Sequence, residues 1–272
     1  MCNHITNIRS NKHLSQEVQK LRERIRELTI GVGIESKFPP VNKIVENYEA
    51  ISSNYRLNLT SAIIKQFKNK KLKEKFETIF LARFAHCVSF TILRLSYEFM
   101  QSYWDKQLSL LQNMFGFNKE TAQRYFQTIF QEQFELSLMR LYEKGKHFIN
   151  SKLKKEIIQE NTSFDSIYET IEENKEENKI NGNKDKLIES CLRSMWSCVL
   201  SRPSFKPYPL IFTSNPQLNH QIQSKNINIK REILGKDKDC EQIGYITWPT
   251  LIRRDTNEIL HIPITACCSL FL

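Results

Sequence analysis

The sequence predicts a mainly α-helical fold, completed by a small proline-rich C-terminal subregion with minor β structure. The 272-residue chain contains only seven glycines and eight prolines, too few for the frequent turns of a β-sandwich or barrel. Apolar residues recur every three or four positions over much of residues 41–158, as on the buried face of a helix. Prolines and short apolar segments replace this pattern towards the end of the chain.

A heptad pattern predicts a short coiled-coil-like helix in the first segment, residues 1–33. Its a and d positions are Leu14, Val18, Leu21, Ile25 and Leu28. Because this stripe covers little more than two heptads, it is compatible with self-association and equally with one amphipathic helix packed on its own domain. Gly31 and Gly33 are expected to end the helix.

Residues 41–158 are predicted to form the helical part of the domain. The longest apolar stripe, expected to be central to the core, is Phe76, Ile79, Phe80, Phe84, Val88, Ile92, Leu95 and Phe99. Gly116 closes the helical segment that follows, and Asn118 is expected to cap a further helix that runs through Leu141. The aromatic residues of this last helix indicate core packing rather than a cofactor site.

The composition changes between residues 159 and 186, where Asn, Glu and Lys dominate. Low hydrophobicity with this composition predicts a flexible insertion or linker, preceded by one or two helical turns at residues 164–171. The C-terminal part, residues 187–272, begins with an apolar helix. Prolines then impose an extended path from Pro203, and residues 259–264 form a closing apolar strip.

The formal net charge of +10 predicts attraction to phosphate-bearing partners, which are either nucleic acid or an anionic membrane surface. The seven cysteines form an odd set without a preceding secretory signal, so we expect reduced thiols in an intracellular protein. The roles of Cys267 and Cys268 stay open. No apolar stretch approaches the roughly 20 residues of a transmembrane helix, so no membrane-spanning segment is predicted.

Lysines concentrate between residues 65 and 75, interleaved with Phe67, Leu72 and Phe76. This pattern predicts a basic amphipathic surface suited to anionic lipid headgroups. A solvated helix face is the alternative interpretation. The candidate lipid-binding residues are Lys65, Lys68, Lys70, Lys71, Lys73 and Lys75.

The sequence lacks the motifs of the common nucleotide-binding and hydrolytic sites. It contains no phosphate-binding loop, no dinucleotide-binding glycine motif and no nucleophile elbow. Cys191 and Cys198 lie two helical turns apart, about 10 Å, which is too far for one zinc ion. His86 lies in an apolar helix and is expected to be a satisfied core histidine. We therefore expect no enzyme, no metal site and no cofactor.

Two stretches in the last third of the chain carry a family resemblance. An apolar helix with cysteine and tryptophan leads to a proline-rich run, and a Trp-Pro-x-Leu motif follows. The residues concerned are Cys191, Trp196, Pro203, Trp248, Pro249 and Leu251. This arrangement resembles the C-terminal domain of the mitochondria-eating protein (spermatogenesis-associated protein 18) family, best over residues 187–266. Residues 261–264 depart from the family's closing strip, which usually carries Lys-Gly after the apolar residues.

The resemblance implies a non-catalytic role in mitochondrial quality control, or mitophagy, with self-association and cardiolipin binding. It places the protein in the cytoplasm in association with mitochondria, at the outer membrane or in the matrix. Cardiolipin is doubly anionic, which agrees with the positive charge of the chain. Trp196 and Trp248 are expected to pack in the core rather than contact lipid. The alternatives are a nucleic-acid-binding protein that uses the basic helical surface, and a self-associating structural scaffold.

Overall fold

The fold is mainly helical, with minor β structure in its C-terminal part, as the sequence predicts. The computed structural model describes residues 38–69, 77–173, 178–208, 210–212, 229–232 and 243–267. The predicted coiled-coil-like helix at residues 14–28 lies outside the described residues.

The helices precede the strands along the described part of the chain. The helices are α1 (Val41–Ala50), α2 (Arg56–Asn69), α3 (Thr78–Phe115), α4 (Lys119–Glu132), α5 (Phe134–Glu160), α6 (Phe164–Glu173) and α7 (Asn178–Leu200). A π-helical turn, Ile51–Tyr55, joins α1 directly to α2. The strands are β1 (Phe205–Tyr208), β2 (Lys230–Glu232), β3 (Ile243–Trp248), β4 (Thr250–Arg253), β5 (Ile259–His261) and β6 (Ile264–Cys267).

Helix α3 is the central element of the core. It continues for 38 residues, about 57 Å at 1.5 Å per residue. It includes the long apolar stripe from Ile79 to Phe99 and the segment predicted to follow it, whereas Phe76 lies outside the described residues. It packs against α2, α5 and α7. It ends at Gly116, whose φ of 65° lies in the left-handed region that glycine adopts without a steric penalty. The predicted end of the helix is therefore confirmed.

The apolar character of α3 reflects its place in the core. Among the described helices, it alone has the length and composition to cross a membrane. However, 72% of its most apolar 18-residue window is buried inside the protein. A helix that is apolar on most sides and enclosed by other elements is typical of a domain core.

The chain turns between α4 and α5, where the sequence predicted one helix. Asn118 does cap α4, since its Oδ1 accepts a hydrogen bond from the Thr121 backbone N at 2.8 Å. At Gln133, however, the backbone leaves the helical region, with φ −113° and ψ 34°. The break lets Phe134 become buried and pack edge-on against Phe38, with ring centroids 5.6 Å apart. The apolar period continues across the break, so spacing alone did not reveal it.

The segment predicted to be a flexible insertion or linker, residues 159–186, is largely helical in its described part. It contains α6 and the first turns of α7, which begins well before the predicted start at Leu187. Phe164 and Ile167 are fully buried, and Ile180 is 6% exposed. These few apolar side chains attach the two helices to the core while their polar faces remain outside. The helical turns predicted at residues 164–171 are part of α6, and the described residues from 178 onwards, where a linker was expected, begin α7.

Two three-stranded sheets lie in the described C-terminal part. One has the antiparallel order β1-β4-β5. In the other, β6 lies between β2, to which it is parallel, and β3, to which it is antiparallel. The extended path predicted after Pro203 becomes β1, in which Pro207 lies opposite Leu251. Strand β1 is an edge strand, where a proline without a backbone N–H is tolerated.

Gly145 on α5 allows a close approach to α3 and α7. A Cβ added there would lie 2.8 Å from Leu192 Cδ2 and 3.1 Å from Phe99 Cε1. We expect Gly145→Val to lower the free energy of unfolding by about 1–3 kcal/mol, because the branched side chain overpacks this contact. Urea denaturation measures the change. Gly182→Ala is the control: no atom of the part of the chain that the structure describes lies within 4 Å of its added Cβ, so we expect the free energy of unfolding to rise by up to about 1 kcal/mol. Equal losses in the free energy of unfolding of the two variants would contradict the close approach of α5 to α3 and α7 at Gly145.

Candidate functional site

Helices α2 and α7 form the walls of two adjoining cavities. On α2, Leu59 and Ile63 line an apolar cavity, whereas the preceding residues, Asn58 and Ala62, line a polar one. Each pair is four residues apart, so its members share one face of the helix. The two faces are neighbours on the helix surface, and the two cavities are therefore neighbours as well.

Helix α7 repeats this arrangement from the opposite side. Ile180 and Lys184 line the apolar cavity, and Lys179 and Asn183 line the polar cavity. Ile180 lines both cavities and forms part of the boundary between them. The spacing of four residues within each pair again follows from the helical repeat.

The apolar cavity has a volume of about 160 Å³. Helix α3 contributes Phe84 and Val88, α5 contributes Leu153, and α6 contributes Tyr168 and Ile171. These apolar walls can exclude water from a ligand, as is usual for small-molecule sites. Among the described lining residues, Glu172 and Lys184 are charged.

Lys184 is a half-buried cation beside apolar walls. Burial lowers the pKa of its ammonium group, although the negative charges of Asp185 and Glu172 act in the opposite direction. Asp185 instead pairs with Lys146, at 2.9 Å. Within the described part of the chain, Lys184 forms no ion pair. A ligand anion at this position would therefore compensate for the desolvation of the ammonium group.

The polar cavity, of about 400 Å³, is positively charged. Lys65 and Lys179 are among its described lining residues, none of which is acidic. Gln66 also lines it; the side chain is 6% exposed, and its Oε1 is buried without a hydrogen-bond partner among the described residues. A buried acceptor left in this state costs about 1–3 kcal/mol. A bound molecule that donates a hydrogen bond there would remove this cost.

The predicted lipid-binding lysines are only partly placed by the structure. Lys65 is exposed and lines the polar cavity. Lys68 belongs to α2, whereas Lys70, Lys71, Lys73 and Lys75 lie outside the described residues.

Sequence reasoning missed Lys179 and Lys184, because both fall in the segment taken for a linker. One signal was available: Lys179 and Asn183, like Ile180 and Lys184, are spaced by one helical turn. Read as a helix, this spacing places two cationic residues on adjacent faces. The polar composition of the segment hid the pattern.

The residues that carry the family resemblance lie in the interior rather than at the cavities. Four of them are fully buried: Cys191, Trp196, Trp248 and Leu251. The carbonyl oxygen of Pro249 accepts a hydrogen bond from the Tyr48 hydroxyl at 2.9 Å, which ties the sheets to α1. Pro203 follows a cis peptide bond at the end of α7. None of these residues lines either of the two cavities.

A second polar cluster is buried between the helices and the strands. Arg56 is 1% exposed and donates hydrogen bonds to both carboxylate oxygens of Glu232, from Nη1 at 2.8 Å and from Nη2. His86 Nδ1 lies 3.2 Å from the Tyr245 hydroxyl, and its Nε2 lies 3.7 Å from Glu232 Oε2. Burial, assisted by the charge of Arg56, lowers the pKa of His86 to about 4. His86 is thus a neutral, partnered core histidine, as the sequence analysis expected.

The cysteines whose side chains are described, Cys87, Cys191 and Cys198, are free and buried. Burial raises the pKa of Cys87 and of Cys198 to about 12 and raises that of Cys191 as well. These thiols are therefore protonated near pH 7, as is usual for unreactive cysteines in an apolar core. In the part of the chain that the structure describes, no three His, Cys, Asp or Glu side chains are grouped so as to hold a metal ion.

Comparison with known proteins identifies no relative. No protein-family model, curated protein or solved structure matches the chain. The resemblance over residues 187–266 therefore remains a prediction. The two cavities and their charges carry the functional argument.

Proposed function

We propose that this protein is non-catalytic and binds anionic phospholipid through the polar cavity between α2 and α7. In this proposal it acts with partner proteins in mitochondrial quality control. It is located in the cytoplasm in association with mitochondria, at the outer membrane or in the matrix. The observation that carries the lipid proposal is that Lys65 and Lys179 line one cavity with no acidic residue among its described lining.

The chemistry of the cavity suits a phosphate headgroup. Two ammonium groups supply positive charge, and near-surface lysines contribute about 1 kcal/mol each to binding of anionic membranes. Asn58, Ser61 and Asn183 also line the cavity, and their amide and hydroxyl groups are hydrogen-bond donors for phosphate oxygens. The net charge of +10 favours approach to an anionic surface over a longer range.

The choice of cardiolipin and of mitochondria is supported by the family resemblance of residues 187–266 alone. A doubly anionic lipid matches a site with two cations, but so do other anionic lipids. The test must therefore separate cardiolipin from charge in general.

Flotation of the full-length protein with vesicles tests this proposal. We compare neutral phosphatidylcholine vesicles with vesicles that contain cardiolipin or phosphatidylserine at matched charge, at physiological salt. We expect binding to cardiolipin vesicles to exceed binding to the serine lipid. Lys65→Gln/Lys179→Gln is expected to weaken binding by about 30-fold, since two lysine contributions of about 1 kcal/mol each are lost.

The control is Lys106→Gln/Lys119→Gln, which removes the same charge from two exposed lysines that line neither cavity. An equal loss in both double variants would assign binding to net charge and not to the cavity. Absence of flotation at physiological salt would overturn the lipid proposal and favour a scaffold. Binding to nucleic acid with a steep salt dependence, without flotation, would favour the nucleic-acid alternative.

A further inference from the structure

We infer that the two cavities form one site for a phosphate-headed amphiphile, with the phosphate in the polar cavity and the start of one alkyl chain in the apolar cavity. This inference rests on the proposed function, because it specifies how the phospholipid is held. It changes the expected mode of binding from adhesion to a charged surface to recognition of an individual molecule.

The first support is the position of the cavities relative to each other. Consecutive residues of α7, Lys179 with Ile180 and Asn183 with Lys184, extend the wall from the polar cavity to the apolar one. A molecule bound against this face of α7 would therefore meet Lys179 in the polar cavity, then Lys184, one helical turn from the boundary residue Ile180, and mainly apolar groups in the rest of the apolar cavity. This polarity is that of an anionic amphiphile.

The second support is the size of the apolar cavity, about 160 Å³. A buried cavity of about 150 Å³ lined by Leu, Ile and Phe accepts benzene, so a volume of this size admits about six carbon atoms. It cannot hold a complete acyl chain. The site would thus take the first carbons of one chain while the rest of the lipid remains outside.

The third support comes from an ammonium group that forms no ion pair and a carbonyl oxygen that accepts no hydrogen bond among the described residues. Lys184 stands at the apolar cavity without an ion pair among the described residues. Gln66 Oε1 is buried at the polar cavity, where no described residue donates a hydrogen bond to it. A phosphate in the polar cavity next to the boundary residue Ile180 supplies an anion for Lys184, and a water molecule bound to the phosphate supplies a donor for Gln66 Oε1.

Calorimetric titration of the full-length protein with hexyl phosphate, methyl phosphate, hexanoate and hexanol tests the inference. Each buried methylene strengthens binding about fourfold, so we expect hexyl phosphate to bind at least about 100-fold more tightly than methyl phosphate. Hexanol should bind weakly because it lacks the charge. Hexanoate distinguishes a preference for phosphate from a preference for any anion, and binding as tight as that of hexyl phosphate would overturn the phosphate assignment.

Variants separate the two halves of the site. Ile171→Trp, at a half-buried position of the apolar lining, should fill the cavity and abolish the advantage of hexyl over methyl phosphate. Val88→Phe provides a second filling variant, and circular dichroism checks that both remain folded. Lys184→Gln should weaken the binding of hexyl phosphate at least about tenfold, whereas Lys106→Gln should leave this binding unchanged.

The outcomes distinguish this inference from the proposed function. Equal affinity for hexyl and methyl phosphate, or an unaltered preference in both filling variants, would overturn the inference even if vesicle flotation succeeded. Tight, chain-dependent binding of hexyl phosphate without flotation would support the amphiphile site and contradict the membrane-binding function. Failure of all four probes to bind would overturn the site itself.

Discussion

Replacement of Glu232 by alanine is expected to lower the free energy of unfolding by about 3–5 kcal/mol, because it leaves a buried guanidinium group without its counter-ion. Arg56 is 1% exposed and donates to both oxygens of this carboxylate. Its Nε already donates to the Ser52 carbonyl oxygen at 3.0 Å, so the helix holds it in place. Urea denaturation at pH 7, followed by circular dichroism, measures the loss.

Two controls isolate the cause of this loss. Arg56→Met/Glu232→Leu removes both charges, and we expect it to recover most of the stability, since apolar replacement of a buried pair is often neutral or favourable. Glu120→Ala breaks the pair with Arg124, whose side chains are 72% and 75% exposed, and should change stability by less than about 1 kcal/mol. A similarly small effect for Glu232→Ala would show that Arg56 does not depend on its counter-ion.

The difference in the free energy of unfolding between the wild type and Glu232→Ala should also depend on pH. Burial raises the pKa of Glu232, but the hydrogen bond from Arg56 and its charge outweigh burial, so the pKa is lowered from its ordinary 4.5. A carboxyl group with a lowered folded-state pKa stabilises the protein above the unfolded value. This contribution is lost as the pH falls through the folded-state value, so the difference should shrink below about pH 4.5.

The second large effect is expected for Trp196→Ala, a loss of about 3–5 kcal/mol in the free energy of unfolding. Trp196 is fully buried where α7 meets α3, α4 and α5. Its ring lies 5.4 Å from that of Phe130 and 5.9 Å from that of Tyr103, both edge-on. Its Nε1 donates a hydrogen bond to Ser137 Oγ at 2.8 Å. Truncation therefore removes contacts to three other helices at once and leaves a cavity among aromatic rings. Urea denaturation again provides the measurement.

Trp196→Phe and Met114→Ala are the matched variants. The phenylalanine keeps most of the apolar volume, and Ser137 Oγ still donates to the Phe134 carbonyl oxygen at 2.8 Å, so we expect a clearly smaller loss. Met114 is 72% exposed on the far end of α3, and its truncation should change stability by no more than about 0.5 kcal/mol. A loss below 1 kcal/mol for Trp196→Ala would contradict its central role in packing.

Features with a local physical cause were predictable from the sequence. The left-handed backbone that ends α3 at Gly116 and the side-chain cap of α4 by Asn118 both depend on a single residue and its immediate neighbours. The fold class follows from the three-to-four-residue apolar period, which requires a buried helix face. The apolar surroundings of His86 were also visible, since they lie on its own helix.

Features set by distant contacts were not predictable in this way. The break at Gln133 interrupts a continuous apolar period, because α5 must turn to pack on α3 and α7. Residues 159–186 have too few apolar side chains for their average composition to indicate a helix. A small number of well-placed ones, such as Phe164 and Ile180, are sufficient once a core is available to receive them.

The sequence by itself determined that the protein is mainly helical, is positively charged, and carries a cluster of lysines that includes Lys65. Only the tertiary structure decided which cations act together. Lys65 and Lys179 share a cavity because α2 packs on α7, and Arg56 meets Glu232 across 176 residues of chain. Electrostatic interaction depends on distance in space and on exclusion of water. The order of residues along the chain specifies neither until the helices have packed.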